Sequence, residues 1–335
     1  MSYTRVLVTG ATGTFGRAFL TDCAATAARW QRVVAFSRDE IKHAALMSEF
    51  ATFPAFRSFL GDVRDPIRLE FAMQDIDVVV HAAALKRVDA GAYSPSEMIE
   101  TNVRGTMNVV MAAIRAGVKR VVVISSDKAV ASTNIYGATK FCAENFAVAA
   151  NAYGHNRGTR IAAVRYGNVL GSRGSVIGIW RDQLARQQPL TVTHPDMTRF
   201  VMTIEQAVAL VWFAIERMEG GEIFVPLLPA AKMITLARAI AGDSYPVRLT
   251  GLRPGGEKMA EALLNEEEPR RAYRDGNHFV VTPSHHEWTT GDVWLARAGD
   301  NWASPELRYR SDTVPRWCSA LELRHLMEST QACHG

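Results

Sequence analysis

Short apolar runs rich in valine alternate with helix-length segments through the first half of the chain. The runs fall at 5–9 (RVLVT), 32–36 (RVVAF), 56–60, 77–81 (DVVVH) and 120–125 (RVVVIS). Most are apolar through their middles, with no alternation of polar and apolar positions. Strands covered on both faces read this way, because neither face meets water. That predicts a parallel sheet flanked by helices. Segments 13–30, 38–50, 66–73 and 95–116 fill the gaps as helices, and a helix near 136–152 and a strand at 161–166 follow. Such alternation specifies an α/β, Rossmann-type doubly wound sheet. Beyond about Gly171 the pattern loosens. Helices are expected near 177–187, 204–218, 234–241 and 256–265, and strands at 222–226 and 279–281.

Composition narrows the class without naming a chemistry. The chain has 335 residues, 48% hydrophobic and 21% charged. This is ordinary globular composition, which excludes a disordered, collagen-like or coiled-coil chain. The 38 basic and 34 acidic side chains leave +4, spread without any Lys/Arg run. Nucleic acid is therefore not an expected partner, whereas an anionic small molecule is compatible. No apolar stretch approaches the roughly 18 residues of a membrane span, and MSYTRVLVTG holds no apolar signal core. The expected location is the cytoplasm, with no membrane contact. Cys23, Cys142, Cys318 and Cys333 lie far apart with no CxxC, which reads as reduced, unpaired thiols.

Candidate chemistry begins at 9–16, TGATGTFG, between the first strand and the first helix. Gly10 permits a tight turn, Gly13 lets backbone approach a pyrophosphate, and Gly16 lets the helix pack closely on the strand. With Thr12, Thr14 and Phe15 they form a dinucleotide-binding loop closed by a helix N-terminus. After the second strand an NAD site usually carries Asp or Glu for the ribose 2′-OH. Here the chain reads Phe36-Ser37-Arg38-Asp39. Ser37 and Arg38 suit a 2′-phosphate, so NADP is favoured over NAD. Asp39 is the competing acid, one place late, and Ser37 and Asp39 can also be helix caps. Asp62, followed by Val63, is a candidate partner for the adenine amine or a loop cap. The chain is thus expected to divide into an NADP-binding domain over 1–170 and a smaller α/β substrate lobe over 171–335, interleaved with it.

Tyr136-Gly137-Ala138-Thr139-Lys140 is a YxxxK. Positions four apart share a helix face, so Lys140 is expected beside the cofactor ribose and near the Tyr136 hydroxyl. A nearby ammonium favours phenolate, which can take a proton from a sugar hydroxyl while hydride leaves the same carbon. The preceding strand ends Ser125-Ser126-Asp127-Lys128. A serine there supplies a hydroxyl to the tyrosine. Asp127 and Lys128, at a strand's C-terminal edge, lie where substrates bind in open α/β sheets. They read either as a surface ion pair or as the base and acid of a water elimination.

With these residues the chain resembles the extended short-chain dehydrogenases/reductases, and more closely the inverting UDP-N-acetylglucosamine 4,6-dehydratases (5-epimerases) of pseudaminic acid and capsular sugar pathways. The resemblance rests on TGATGTFGRAF (9–19), FSRDE (36–40), GDVRD (61–65), HAAALKRVD (81–89), ETNVRGT (100–106), SSDKA (125–129), NIYGATK (134–140), RYGNVLGSRGSV (165–176), MTRF (197–200), GGEIFVP (220–226) and RPGGEK (253–258). It implies Ser126 as the hydroxyl, Asp127 and Lys128 as the acid/base pair and Tyr136 with Lys140 as the redox pair. Ala82, Ala83, Lys86, Asn102, Tyr166 and Asn168 then join the cofactor site. Lys86, Asn168, Arg173, Val176, Arg199, Met202, Arg253 and Glu257 hold a UDP-sugar, arginine being suited to its diphosphate. No metal is expected, and a homo-oligomer, dimer or hexamer, is. Nine residues separate Ser126 from Tyr136, the short spacing of this group, and Tyr136 stands where membrane-linked retaining relatives carry Met.

The implied reaction uses Tyr136 against O4, Lys128 as the C5 base and Asp127 as the acid at C6, roles that can be exchanged within a coupled pair. The product is a 6-deoxy-4-keto sugar with C5 inverted. A sugar 4-epimerase, a 5,6-dehydratase and a non-catalytic dinucleotide sensor stay open as alternatives. The chain departs from the family at Gly255-Gly256, where one glycine is extra, and at Ala131-Ser132. The extra glycine bears on where Arg253 and Glu257 fall. His285-His286 reads as an exposed turn. Trp288, Trp294, Trp302 and Trp317 read as a packing or oligomer surface, and Met98, Met107 and Met111 as helix core or interface. The stretch 309–326 resembles the family's C-terminal strand and helix.

Overall fold

The computed structural model describes residues 3–172, 174–289 and 291–332, with side chains to 328. Fourteen strands are named in chain order: β1 (Arg5–Thr9), β2 (Arg32–Ser37), β3 (Phe56–Leu60), β4 (Val78–His81), β5 (Arg120–Ile124), β6 (Arg160–Val164), β7 (Asn168–Val169), β8 (Leu190–Val192), β9 (Thr198–Met202), β10 (Ile223–Pro226), β11 (Ala230–Lys232), β12 (Val247–Leu249), β13 (Ala272–Asp275) and β14 (His278–Val281). The main sheet runs β3-β2-β1-β4-β5-β6-β10-β14-β13. From β3 to β10 neighbouring strands are parallel, and β14 and β13 are antiparallel. The order reverses between β1 and β4, the place where open α/β sheets form a ligand crevice.

The apolar runs became strands because both sheet faces are covered. Val6, Leu7, Val8, Val78, Val79, Val80, Val121 and Val122 have no exposed surface. Helices are set by local punctuation. Asp39 caps Glu40–Glu49 through the Lys42 N–H, and Asp65 caps Pro66–Ala72 through the Arg68 N–H. Buried His81 bridges β1 to a helix, bonding Thr9 Oγ1 at 2.7 Å and Thr106 Oγ1 at 2.9 Å. Burial lowers its pKa to about 3, so the imidazole is neutral.

The helix expected over 95–116 is one rod with an interrupted centre. Pro95–Ile99 and Gly105–Ala116 are α-helical, and Glu100–Arg104 between them is a π-helix. Such bulges favour functional positions, and this one holds Asn102. The helix expected at 256–265 does not form. Thr198 N–H donates to Met259 O at 2.9 Å, Ser311 N–H to Glu261 O at 2.8 Å and Leu263 N–H to Tyr309 O at 3.0 Å. Pairing with other parts of the chain replaces the local i→i+4 ladder. No regular strand forms near Tyr309, whose neighbour Arg310 makes an isolated bridge to Ala262. The C-terminal helix spans Ala320–Ala332.

The later half shares the main sheet through β10, β13 and β14. A smaller layer of β11-β9-β7, the β12-β8 pair and the helices Val176–Ala185 and Met233–Ala241 packs around Trp180, Leu190 and Leu236. Trp294 is buried and donates to Glu222, and Trp288 donates to the Gly220 carbonyl. Those two are interior packing, whereas Trp302 and Trp317 keep exposed faces. Met98 is core and Met107 is exposed.

Candidate active site

The glycine loop forms a backbone cradle. Gly10 has φ +67°, and a Cβ there would come within 2.8 Å of Ala83 N. A Cβ on Gly16 would lie 2.5 Å from Gly10 O, so only glycine lets the helix sit this close. Gly13 is the N-cap of Thr14–Ala25, has no side-chain cap bond, and no acid stands in the first turn. The helix therefore turns its N-terminal turn and the positive end of its dipole to the crevice with no acidic side chain over it, a setting for pyrophosphate. Phe15 is stacked on Phe19 at 6.0 Å, so only its backbone faces a ligand. Val63 is core, and its carbonyl accepts from Asn108 Nδ2 at 3.1 Å.

The β2 edge sorts its three candidates. Ser37 Oγ is 2.8 Å from His43 Nε2. Asp39 is turned to its own helix and pairs with Lys42. Arg38 is exposed and lies 3.4 Å from Asp62, which also pairs with Arg64 at 2.8 Å. Lys86 is exposed in the loop after β4. Asn102 does not line the crevice as a ligand. It is buried, accepts from Leu85 N–H at 2.7 Å and donates to Leu85 O at 2.9 Å and Thr139 Oγ1 at 3.0 Å. Its amide clamps the Lys86 loop to the Tyr136 helix.

Beyond β5 the chain turns at Asp127–Ala129 and re-enters as the helix Ile135–Ala149, capped by Asn134. A Cβ on Gly137 would run into the Lys128 carbonyl oxygen, so glycine lets that helix lie on the Asp127–Lys128 turn. Ser126 Oγ donates to Asp127 Oδ1 at 2.7 Å, and Lys128 Nζ donates to the same oxygen at 3.0 Å. The Ser126 hydroxyl also reaches the Tyr136 phenol. Asp127 Oδ2 is buried and has no hydrogen-bond partner among the described residues. The Tyr166 carbonyl accepts from the Asp127 N–H at 3.1 Å.

Glu261, absent from the sequence-level candidates, completes this cluster. Its Oε1 is 3.3 Å from Lys128 Nζ and 3.9 Å from Arg199 Nε, and its Oε2 is 3.4 Å from Lys258 Nζ. Arg199 continues to Glu257 at 4.0 Å, and Glu257 pairs with Arg253 at 2.7 Å. The extra glycine is accommodated by left-handed backbone at Gly255 and Gly256, with Thr133 Oγ1 donating to Gly256 O at 2.5 Å. Nothing in RPGGEK itself signals Glu261. The expectation of a helix there put Glu257 and Glu261 on one face, which hints at a joint role without naming one.

These contacts set the charges. Burial pushes the Asp127 carboxyl above the ordinary range, and the Glu261 charge adds to this against the pull of Lys128. Burial opposes the Lys128 ammonium, but Asp127 and Glu261 outweigh it and hold it charged. Burial raises the Tyr136 pKa, while Lys128 and Ser126 act the other way. Lys140, expected beside the cofactor ribose and near the Tyr136 hydroxyl, has a protein partner of its own. Lys140 Nζ donates to the Ile124 carbonyl, and burial brings its own pKa down to about 8. Lys128 is a cation that favours a Tyr136 phenolate.

Of the substrate candidates, Arg253 is exposed, Asn168 and Val176 are half-buried, and Arg199 is buried within the carboxylate network. Met202 is 1% exposed inside the core and offers no face to a ligand, a correction imposed by the inward side of β9. Arg173 lies outside the described residues, as does Cys333. Cys23 and Cys318 are buried and Cys142 exposed, each as a free thiol. Among the described residues no His, Cys, Asp and Glu group has the form of a metal site. No helix there is long and apolar enough to cross a membrane.

Comparison with known proteins places this geometry. Residues 6–283 match the family model described as polysaccharide biosynthesis protein. The chain is 37% identical over 331 residues to a UDP-N-acetylglucosamine 4,6-dehydratase (inverting) of Campylobacter jejuni, covering 97% of this chain and 98% of that one. It is 38% identical over 281 residues to a UDP-glucose 4-epimerase of Rickettsia canadensis, covering 82% of each. The X-ray structure of Pen from Bacillus thuringiensis superposes with a TM-score of 0.86 at 35% identity, covering 98% of this chain and 100% of that one. The chain therefore belongs to the polysaccharide biosynthesis protein family, and within it to the inverting UDP-N-acetylglucosamine 4,6-dehydratase group of the extended short-chain dehydrogenases/reductases.

Proposed function

We propose that this protein is an NADP-dependent 4,6-dehydratase acting on UDP-N-acetylglucosamine, forming a 6-deoxy-4-keto sugar with inversion at C5. The observation that carries it is the contact of buried Asp127 with partly exposed Lys128, with Asp127 Oδ2 left without a hydrogen-bond partner among the described residues and Ser126 and Tyr136 acting on the same group.

The cradle of Gly10, Gly13 and Gly16 has the shape a dinucleotide requires, since a Cβ at Gly10 or Gly16 would fill it. Bound there, the cofactor would supply a reversible two-electron acceptor, so water is eliminated from the sugar without net oxidation. Thr12 and Thr14 would serve its phosphates, Lys140 its ribose. Exposed Arg38 beside Ser37 favours a 2′-phosphate, and Asp39, held by Lys42, is drawn away from a ribose hydroxyl. Arg199, Arg253 and Asn168 would hold the nucleotide diphosphate, with Arg173 in the same segment.

Tyr136 takes the proton of the sugar 4-hydroxyl, helped by Ser126 and the Lys128 charge. A ketone at C4 acidifies the C5 hydrogen. Passing one proton from Lys128 to Asp127 turns the ion pair into an amine and a carboxylic acid, which burial favours. The amine removes the C5 proton, the C6–O bond breaks, and the oxygen departs as water with the Asp127 proton. Lys128 is then again ammonium and Asp127 again carboxylate; return of the stored hydride to C6 and delivery of one proton to C5 from the opposite face would complete the 6-deoxy-4-keto sugar, with the proton that Tyr136 took from O4 balancing the one given to C5. Exposed Ile99, Met107 and Phe141, on neighbouring helices, suit a homo-oligomer of the kind the sequence implied.

The test is mass spectrometry of UDP-N-acetylglucosamine incubated with the protein in D2O without added reductant. Loss of one water with deuterium at C5 is expected. The Rickettsia relatives favour a second reading, 4-epimerisation, which gives Asp127 and Lys128 no proton to move. An isomerised sugar that keeps its 6-hydroxyl would establish it and overturn the dehydratase.

A further inference from the structure

Glu261 lies on no element that carries the nucleotide loop or the YxxxK. It comes from the extended segment that pairs with Ser311, whose hydroxyl accepts from the Glu261 N–H at 3.0 Å. Its side chain is buried, yet it reaches past the outer lobe to the Lys128 ammonium at 3.3 Å. Three cations surround it: Lys128, Lys258 and Arg199. Lys258 is also tied to the Val130 carbonyl at 2.7 Å, so the acidic segment is latched to the turn that carries Asp127 and Lys128.

We propose that Glu261 is a positioning residue for the elimination, fixing Lys128 Nζ against Asp127 and holding the shared proton on that pair until substrate fills the site. The proposal rests on the dehydratase reading. The physical case is electrostatic. An Asp–Lys contact whose carboxylate is buried and whose ammonium is only partly wetted is drawn toward neutralisation by proton transfer, because buried charges are costly. A carboxylate on the far side of the ammonium opposes that transfer. It also raises the proton affinity of the pair as a whole, since it adds negative charge to both members. The groups facing the pair are Ser126 after β5, Tyr136 from the helix Ile135–Ala149, Arg199 from β9 and Glu261 from the outer segment, with Lys258 behind Glu261 and Glu257 behind Arg199. Glu261 is itself kept ionised, burial notwithstanding, by Lys128, Arg199 and Lys258.

The consequence has a definite sign. Activity needs one proton on the pair. With none there is no acid, and with two there is no base. Glu261→Gln removes a negative charge, so both limbs of the pH–kcat profile move to lower pH, by about one unit for a charge at this distance. The upper limb stands well above neutral, so at neutral pH kcat changes by no more than about threefold and KM for the UDP-sugar stays within about twofold; the effect is read at the limbs. Glu261→Asp, which keeps the charge, restores the limbs toward their original positions. A loss of rate with unshifted limbs would overturn the proposal, as would an effect confined to KM.

A second measurement does not depend on the reaction. The chain has seven lysines, so protein labelled with 13C at lysine Cε gives a countable spectrum, and the Lys128 signal is assigned with Lys128→Arg. In the wild type that signal holds its ammonium position to higher pH than in Glu261→Gln. Identical titrations in the two proteins would overturn the proposal even if the wild type released water. If the wild type releases no water yet the titrations differ, the dehydratase reading fails and the Glu261 assignment stands.

Discussion

Two buried charge clusters flank the helix Ile135–Ala149, and they are built to opposite ends. In one, Arg165 donates from Nε to Glu144, from Nη1 to Glu268 at 2.8 Å and to the Leu263 carbonyl at 2.9 Å, and from Nη2 to both carboxylates. Its three side chains are at most 3% exposed. In the other, Lys128 keeps 29% of its side chain exposed, Asp127 Oδ2 has no hydrogen-bond partner among the described residues, and Glu261 Oε2 meets Lys258 Nζ at 3.4 Å as an ion pair without hydrogen-bond geometry. The charge types are alike, but saturation differs. A guanidinium with all its donors engaged has no proton to move and no place for a ligand, so it fastens the Tyr136 helix to the outer lobe. An ammonium shared by two incompletely bonded carboxylates has both. Burial of charge marks a reactive site only where valence is left open.

The sharpest way to break this comparison is to remove the saturated arginine. Arg165→Met leaves Glu144 and Glu268 buried without a counter-ion and is expected to cost about 3–5 kcal/mol of stability. Urea unfolding checks it, and a loss under about 1 kcal/mol would put Arg165 among dispensable ion pairs. The open cluster should respond the other way. Asp127→Asn is expected to lower kcat by about 10²–10⁴-fold while stability moves by less than about 1 kcal/mol. Equal stability losses in these two variants would erase the distinction drawn between the clusters.

Gly137→Ala sharpens the boundary between them. The added methyl meets the Lys128 carbonyl, so the helix must back away from the reactive turn at a cost of about 1–3 kcal/mol. Turnover should fall further than stability does, and the pair is read from urea unfolding and product formation. The smallest effect lies outside both clusters. Arg38→Ala is expected to weaken NADP binding about tenfold, or about 1.4 kcal/mol, and leave NAD binding unchanged. Equal losses for both dinucleotides by fluorescence titration would remove Arg38 from 2′-phosphate recognition.

Legibility along the chain follows the range of the interactions. The strands from β1 to β6 were visible because each is a contiguous apolar run buried on both faces. The glycine loop and the YxxxK were visible because their chemistry is written in fixed local spacing. The segment 256–265 misled, since its apolar pattern suits a helix, while its backbone pairs instead with residues near 198 and 310. The partner of Lys140 was not legible either: helical spacing puts it on the face of Tyr136, and the carbonyl of Ile124, from another element, takes its ammonium.

The sequence by itself determined the doubly wound sheet, the cradle at 9–16 and the identity of Ser126, Asp127, Lys128 and Tyr136 as the residues to watch. Each depends on burial pattern or on neighbours a few positions away. Only the tertiary structure decided which carboxylates face which cations. Arg165 meets Glu268 across 103 positions, and Glu261 reaches Lys128 from the outer lobe. A buried charge is stabilised by whatever counter-charge the fold brings within a few ångströms, and no local pattern encodes that partner.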